Sequence, residues 1–198
     1  MSRFFAAVAR ARALCPAGAG GPGLDLPLLR LWQAVETRLA DHPRKVVQIA
    51  ACGAGESASA VALRLARLAG GTLGGGVVVL GSSPVEESAP GPVAFGLLPG
   101  RGSDCRALNP VLLAEYWRRL LEGAALVVLD TPPVLESPLA LALAPTVDGV
   151  VLVVEAERTR VAVARAARDA LVAGGANLLG VVLNRRRFHV PAGLYKRL

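Results

Sequence analysis

Residues 53–60 read Gly-Ala-Gly-Glu-Ser-Ala-Ser-Ala and follow a short apolar run that ends at Ala50. The apolar run predicts a buried strand, and the residues from Ala60 to Leu68 have the spacing of a helix. A glycine-rich turn between a strand and a helix presents backbone N–H groups to an anion at the positive end of the helix dipole. The chemistry that this segment could do is therefore the binding of phosphate.

The same turn lacks the lysine of a nucleotide-binding P-loop. In a working loop that lysine neutralises phosphate charge, and the following hydroxyl binds Mg²⁺. Here the lysine position is Ala58, whereas Ser59 retains the hydroxyl. If binding is retained, the expected ligands are ATP or ADP and Mg²⁺; otherwise the chain binds none. The other loop residues that would contact the nucleotide are Gly53, Gly55, Glu56 and Ser57.

The carboxylate of Asp130 is the second candidate for chemistry. It ends the apolar run that begins at Ala125, and the sequence continues Thr-Pro-Pro. An acidic residue at a strand tip can bind Mg²⁺ or its water, as a Walker B aspartate does. It can equally cap the turn after the strand. The glycine-rich loop upstream favours the metal-binding role, because P-loop enzymes combine the two motifs.

The composition fits one domain that needs neither disulfides nor a metal for its core. At 53% hydrophobic residues the chain is too apolar to be disordered over most of its length. The three cysteines have no metal-ligand spacing, which favours reduced thiols in the cytosol. The net charge of +7 favours an acidic partner, although the arginine preference of a GC-rich genome explains it equally well. No apolar run reaches the roughly 20 residues that span a bilayer.

Helices and strands alternate along the predicted domain. The predicted strands are 46–50, 76–80, 92–98, 125–130, 150–154 and 178–183, and the predicted helices are 24–39, 58–68, 111–122, 137–143 and 158–173. The strands are continuous β-branched and leucine runs, as in parallel sheets covered on both faces. We therefore expect an α/β fold with a three-layer, doubly wound, mainly parallel sheet of the P-loop NTPase type. Residues 1–23 are predicted to be a flexible segment, and residues 24–198 the domain with a basic C-terminal tail.

Three later segments resemble one protein family when they are taken as a set. The segments are Leu-Asp-Thr-Pro-Pro-Val from Leu129, Asp-Gly-Val-Val-Leu-Val-Val from Asp148, and Leu-Gly-Val-Val-Leu-Asn-Arg from Leu179. They resemble the bacterial tyrosine autokinases of capsule and exopolysaccharide synthesis, which are relatives of the partition and division-site ATPases. The resemblance implies a Walker B role for Asp130 and an adenine contact for Asn184. Asn184 could instead be a turn residue after the strand.

The sequence departs from the family pattern at several positions that carry charge. Ala58 replaces the lysine, Ser57 a glycine, and Gly-Ser-Ser after Leu80 replaces an acidic Asp-x-Asp. Losing one preorganised charge can already cost about 10²–10³ in rate. The arginines that could replace the lysine are Arg101, Arg106 and Arg185. The family's helical Glu-x-x-Arg-x-x-Arg and its tyrosine cluster are reduced to Pro27, Arg30, Gln33 and Tyr195.

These departures predict a catalytically degenerate member of the fold, a pseudokinase rather than an efficient enzyme. The resemblance implies a regulatory or scaffold role beside a membrane chain-length regulator, a polysaccharide co-polymerase, at the inner face of the cell membrane. An active autokinase or ATPase with an unconventional phosphate clamp is the alternative, and a homo-oligomer stays open. Tyr195 is a candidate phosphosite or an anchor for the tail. Scarce aromatics disfavour a third hypothesis, nonspecific binding of nucleic acid.

Overall fold

The computed structural model describes residues 26–53, 58–81, 93–100 and 108–185. The helices are α1 Leu26–Arg38, α2 Ala58–Thr72, α3 Pro110–Gly123, α4 Pro138–Leu143 and α5 Val161–Ala173, with a 3₁₀ turn at Ala144–Thr146. The strands are β1 Lys45–Ala51, β2 Val77–Gly81, β3 Val93–Leu97, β4 Leu126–Asp130, β5 Gly149–Glu155 and β6 Leu178–Asn184. Every predicted helix and strand in these ranges is present, with bounds shifted by a few residues. The predicted flexible segment, residues 1–23, lies outside the described residues.

The start of α5 differs from the sequence-based prediction. The helix was expected from Arg158, but it begins at Val161. The residues before it form a turn in which the backbone N–H groups of Arg158 and Thr159 both donate to the carbonyl oxygen of Glu155. Glu157, just before these residues, has a left-handed backbone with a φ of 65°, and the chain reaches helical geometry only after this turn.

The six strands form one parallel sheet in the order β3-β2-β4-β1-β5-β6. This arrangement confirms the predicted doubly wound α/β fold. The strand that precedes the glycine-rich turn, β1, is central, with β4 on one side and β5 on the other. All strands run in the same direction, so their carboxyl ends meet at one edge of the sheet. We call this the carboxyl edge.

Helices cover both faces of the sheet, as the continuous apolar strands predicted. On one face α1 and α2 contribute Trp32, Val35 and Leu65 to a buried apolar cluster. On the other face α3 and α5 contribute Trp117 and Leu171 to a second cluster. Burying one such side chain stabilises the fold by about 1.5–3 kcal/mol. None of the described helices has the length and apolar character that crossing a bilayer requires.

Polar contacts at the opposite edge, where the strands begin, fix β1 to its neighbours. Lys45 is buried, and its ammonium donates to the carbonyl oxygen of His42 at 2.8 Å. The same ammonium lies 3.1 Å from Oε1 of Glu36 on α1, an ion pair without hydrogen-bond geometry. Asp148 accepts a hydrogen bond from the backbone N–H of Val46 at 2.7 Å. The start of β1 is therefore held by side chains, whereas its end leads into the glycine-rich turn.

Candidate functional site

The carboxyl edge brings together the three segments that sequence reasoning selected. In the strand register Ile49 pairs with Asp130. On the other side of β1, Ala51 pairs with Val153. Two residues farther along β5, Glu155 pairs with Asn184 of β6. The end of β1, Asp130 and Asn184 therefore lie along one line above the sheet, where ligands of such folds bind.

The side chains at this edge also share one face of the sheet. Successive residues of a strand point to opposite faces. Val128, Val153 and Val182 pack into the cluster under α1 and α2. Asp130, Glu155 and Asn184 each lie two residues beyond one of these valines, so they point to the same face. We call the part after β1 and β4 the phosphate half, and the part after β5 and β6 the base half.

Ser59 and Asp130 are in contact in the phosphate half. The Ser59 hydroxyl, in the first turn of α2, lies close enough to the Asp130 carboxylate to lower its pKa by hydrogen bonding. Burial raises the pKa of Asp130, and the hydrogen bond from Ser59 offsets part of that rise. One hydroxyl and one carboxylate suit Mg²⁺, which commonly takes its other oxygens from phosphate and water. Within the described ranges, no cluster of three or more His, Cys, Asp or Glu could hold a metal by itself.

Ala58 is part of the apolar core rather than of a polar site. It is 3% exposed and packs in the cluster under α1 and α2. Its methyl group cannot reach or neutralise a phosphate, so the phosphate half lacks this charge. Gly55, Glu56 and Ser57 of the predicted loop lie outside the described residues, as do Arg101, Arg106 and Tyr195. Of the predicted loop, the structure therefore describes Gly53, Ala58 and Ser59.

A carboxylate that sequence reasoning missed lies at the start of the glycine-rich turn. A methyl group placed on Gly53 would lie 3.7 Å from Oε1 of Glu136. Glu136 follows β4 in a segment that is tied to the end of β1 by a 2.9 Å hydrogen bond from the Val134 N–H to the carbonyl oxygen of Ala51. A carboxylate therefore lies beside the first glycine of the turn. No periodicity in the sequence marks Glu136, because its position depends on how the segment after β4 folds against the end of β1.

Gln48 links the strand before the glycine-rich turn to the segment after Asp130. Its side chain is fully buried in β1. Its amide donates to Oγ1 of Thr131 at 3.1 Å and to the carbonyl oxygen of Ala140 on α4 at 2.9 Å. Thr131 in turn donates to the carbonyl oxygen of Ile49 at 3.4 Å. These buried bonds help to fix the backbone next to Asp130, although no sequence pattern marks Gln48 as part of the site.

The end of β2 is the place where the family's acidic motif is missing. Gly81, the last residue of β2, pairs with Asp130 of β4. This position has no side chain, so the carboxylates of the family motif have no counterpart here. Ser82 and Ser83, which complete the replacement, lie outside the described residues. At the described end of β2, the phosphate half gains no second acidic group to support a metal or a base.

Arg185 is placed on the base half and is paired there. Its guanidinium Nη1 lies 3.0 Å from Oε1 of Glu155, which is 7% exposed. Because β6 is two strands from β1, Arg185 starts roughly 10 Å from the glycine-rich turn, at about 4.8 Å per strand. Its charge is bound at the base half. This placement disfavours Arg185 as a substitute for the lysine at Ala58.

Solved structures with the same architecture show what this arrangement of strands is similar to. The kinase domain of the Escherichia coli tyrosine kinase ETK is 15% identical and superposes with a TM-score of 0.66, over 84% of this chain and 78% of that chain. The kinase domain of VpsO is 23% identical, with a TM-score of 0.62 over 82% of this chain and 97% of that chain. The chain has the fold of bacterial tyrosine kinase domains. The sequence-based recognition of a tyrosine autokinase-like P-loop fold is confirmed.

A more distant neighbour carries a nucleotide. It is a nucleotide-binding protein from Archaeoglobus fulgidus in complex with ADP, 16% identical, with a TM-score of 0.51 over 81% of this chain and 74% of that chain. No protein-family model matches the sequence, and no curated protein matches it either. At these identities the similarity concerns the fold, and the activity has to be argued from the residues at the carboxyl edge.

Proposed function

We propose that this chain is a catalytically degenerate P-loop protein of capsule or exopolysaccharide biosynthesis. It acts as a regulatory or scaffold partner of a membrane chain-length regulator, at the inner face of the bacterial cell membrane. The likeness to tyrosine kinase domains supports the setting. The state of the phosphate half supports the loss of catalysis.

The observation that carries this proposal is the burial of Ala58 at the lysine position. Phosphoryl transfer depends almost entirely on positioned charge around the transferred group. Here the lysine position is a core methyl group, and Arg185 is bound by Glu155. Losing one such positive group costs about 10²–10³ in rate.

The direct test is transfer of labelled phosphate. The purified chain is incubated with Mg²⁺ and γ-labelled ATP, and both protein-bound label and released phosphate are measured. We expect neither above the level of a sample without protein. Stoichiometric self-phosphorylation within minutes, or release of many phosphates per chain per minute, would overturn the proposal. The variant Tyr195→Phe then shows whether any residual label is on that tyrosine.

The partner is tested by binding rather than by catalysis. Immobilised cytoplasmic segments of the chain-length regulator from the same genome are the probe, and binding is measured with and without ADP. We expect binding that weakens as salt rises, because the net charge of this chain is +7. An equally long segment of scrambled sequence is the control. Equal binding to both segments would contradict a specific scaffold role.

An active autokinase or ATPase is the second candidate, and the contact between Ser59 and Asp130 favours it. In a P-loop site a hydroxyl and a carboxylate of this kind form the Mg²⁺ side, and Mg²⁺, when bound, would neutralise charge on the phosphates. The candidate predicts tight binding of Mg-ATP that Asp130→Ala abolishes. Calorimetry at millimolar ATP decides this point, because absence of heat there excludes the active enzyme.

A further inference from the structure

A buried carboxylate in the base half has no part in the phosphate chemistry. Glu155 is the last residue of β5 and is 7% exposed. Its Oε1 accepts from Arg185 at 3.0 Å, whereas its Oε2 is buried without a hydrogen bond and lies 3.5 Å from Nη1 of Arg158. Removing a carboxylate from water is costly. A buried carboxylate at the carboxyl edge, outside both apolar clusters, therefore needs an explanation beyond core packing.

The backbone around Glu155 is strained on both sides. Within the described ranges, the non-glycine residues with positive φ angles are Glu157, at 65°, and Arg185, at 54°. A left-handed conformation costs an ordinary residue about 1–2 kcal/mol. Such strain persists where surrounding contacts determine the backbone, and it concentrates at ligand sites. Both strained residues flank the pair of Glu155 and Asn184 in the strand register.

Three hydrogen bonds fix the backbone where the turn after β5 meets the end of β6. The N–H of Glu155 donates to Oγ1 of Thr159 at 3.1 Å. The N–H of Ala156 donates to the carbonyl oxygen of Asn184 at 2.9 Å. The Arg185 side chain returns to Glu155. The backbone that follows the Asn184 Cα is therefore fixed at two points, the carbonyl by Ala156 and the next residue by Glu155.

The amide of Asn184 is half-buried, and no described residue hydrogen-bonds to it. An amide offers one acceptor and two donors, and in pairs with adenine it binds bidentately. Asn184 lies two strands from β1, so roughly 10 Å separates it from the glycine-rich turn at about 4.8 Å per strand. That separation suits a nucleotide that lies along the edge, with its phosphates at β1 and its base at β6.

We propose that Glu155 is a positioning residue for the base of an adenine nucleotide. By binding the Arg185 guanidinium it fixes the left-handed turn after β6 and thereby the direction of the Asn184 amide. The same pairing keeps the arginine charge away from the phosphates. Recognition in this chain is then carried by the base more than by the phosphates. This inference rests on retained nucleotide binding, which the proposed function permits without requiring it.

The test separates base recognition from phosphate binding. Affinities for ADP, GDP and pyrophosphate are measured with Mg²⁺ by calorimetry, in the wild type and in Glu155→Gln. We expect the wild type to bind ADP at least tenfold more tightly than GDP. In Glu155→Gln the preference falls at least fivefold, and pyrophosphate affinity stays within twofold. The matched control is Glu122→Gln, in which the same change at the end of α3, on the opposite edge of the sheet, leaves the preference unchanged.

A double-mutant cycle distinguishes positioning from general stability. Asn184→Ala removes the amide, and we expect Glu155→Gln to have no further effect on base preference in that background. Arg185→Gln tests the same link from an exposed side chain, so the test does not depend on one variant folding. Additive effects, or no base preference in the wild type, would overturn the positioning role and leave the scaffold proposal standing. Rapid self-phosphorylation would instead overturn the scaffold proposal alone.

Discussion

The phosphate half and the base half of the carboxyl edge differ in how their charges are placed. In the phosphate half a core alanine occupies the lysine position, and a glutamate lies beside the first glycine. In the base half a buried carboxylate binds an arginine, and two strained residues flank it. The phosphate half has no lysine at Ala58, whereas the base half holds a paired arginine beside strained backbone. The comparison teaches that two parts of one sheet edge can differ in charge although the strands that position them belong to the same sheet.

The largest expected effect comes from returning charge to the phosphate half. In Ala58→Lys a charged hydrogen bond to phosphate is worth about 1.5–3 kcal/mol, so Mg-ATP should bind about 10- to 100-fold more tightly. Calorimetry measures the change. Ala58→Met is the control, because it has similar length without charge. Equal affinities in the two variants would mean that the loop has lost its shape as well as its lysine.

Breaking the pair in the base half should affect stability unequally. Arg185→Ala leaves the Glu155 carboxylate buried with weaker compensation, and we expect a loss of about 1–3 kcal/mol in the free energy of unfolding. Glu155→Gln leaves a 58% exposed arginine that water can solvate, so its loss should be below about 1 kcal/mol. Urea denaturation measures both. Equal losses of stability in the two variants would contradict the difference in burial between Glu155 and Arg185.

Removing the charge of Asp130 should stabilise the fold. At pH 7 we expect Asp130→Asn to gain about 0.5–1 kcal/mol, or about 1–4 °C in Tm. Burial raises the folded pKa of Asp130 above its ordinary 3.8, so the folded state holds this proton more tightly than the unfolded state. The stability that the wild type gains from protonated Asp130 is therefore lost as pH rises from 3.8 through the folded pKa.

The pH series gives this prediction its control. The stability gain of Asp130→Asn over the wild type should grow as pH rises from 3.8 through the folded pKa. It should vanish below pH 3.8, where Asp130 is protonated in both the folded and the unfolded wild type. Asp169→Asn is the matched change, since its carboxylate is 64% exposed and pairs with Arg168 at the surface. A constant difference between Asp130→Asn and the wild type at every pH would contradict burial of the charge.

The smallest expected effect is at Glu136. In Glu136→Gln one negative charge leaves the start of the glycine-rich turn, and pyrophosphate affinity should rise about two- to fivefold at low salt. The gain should shrink at high salt. Glu122→Gln, at the end of α3 on the opposite edge, is the control. Equal gains in the two variants would assign the effect to net charge rather than to the site.

Predictions from the sequence were accurate where the signal was local. Mainly apolar runs predicted β1, β4 and β5, because a strand covered on both faces holds few polar residues. Parallel strands predicted that the end of β1 and Asp130 share an edge. The start of α5 was wrong, because the turn after Glu155 is held by bonds to β5 that helical periodicity does not encode.

The candidate site was predicted only in part, because its remaining contacts are long-range. Glu136 reaches Gly53 through a segment folded against β1, and Arg185 reaches Glu155 across the two edge strands. Neither contact changes the local pattern of apolar residues. Gln48 in particular resembles an interruption of a strand in the sequence, whereas in the fold it bonds to Thr131 and α4.

By itself the sequence determined the α/β alternation, the glycine-rich turn without its lysine, and the carboxylate at the end of β4. Each depends on residue type and on spacing over a few residues. The tertiary structure decided the order of the strands, the contact of Ser59 with Asp130, and the binding of Arg185 by Glu155. These depend on which strands pack side by side, and that choice follows from burial of the whole apolar surface rather than from any one segment.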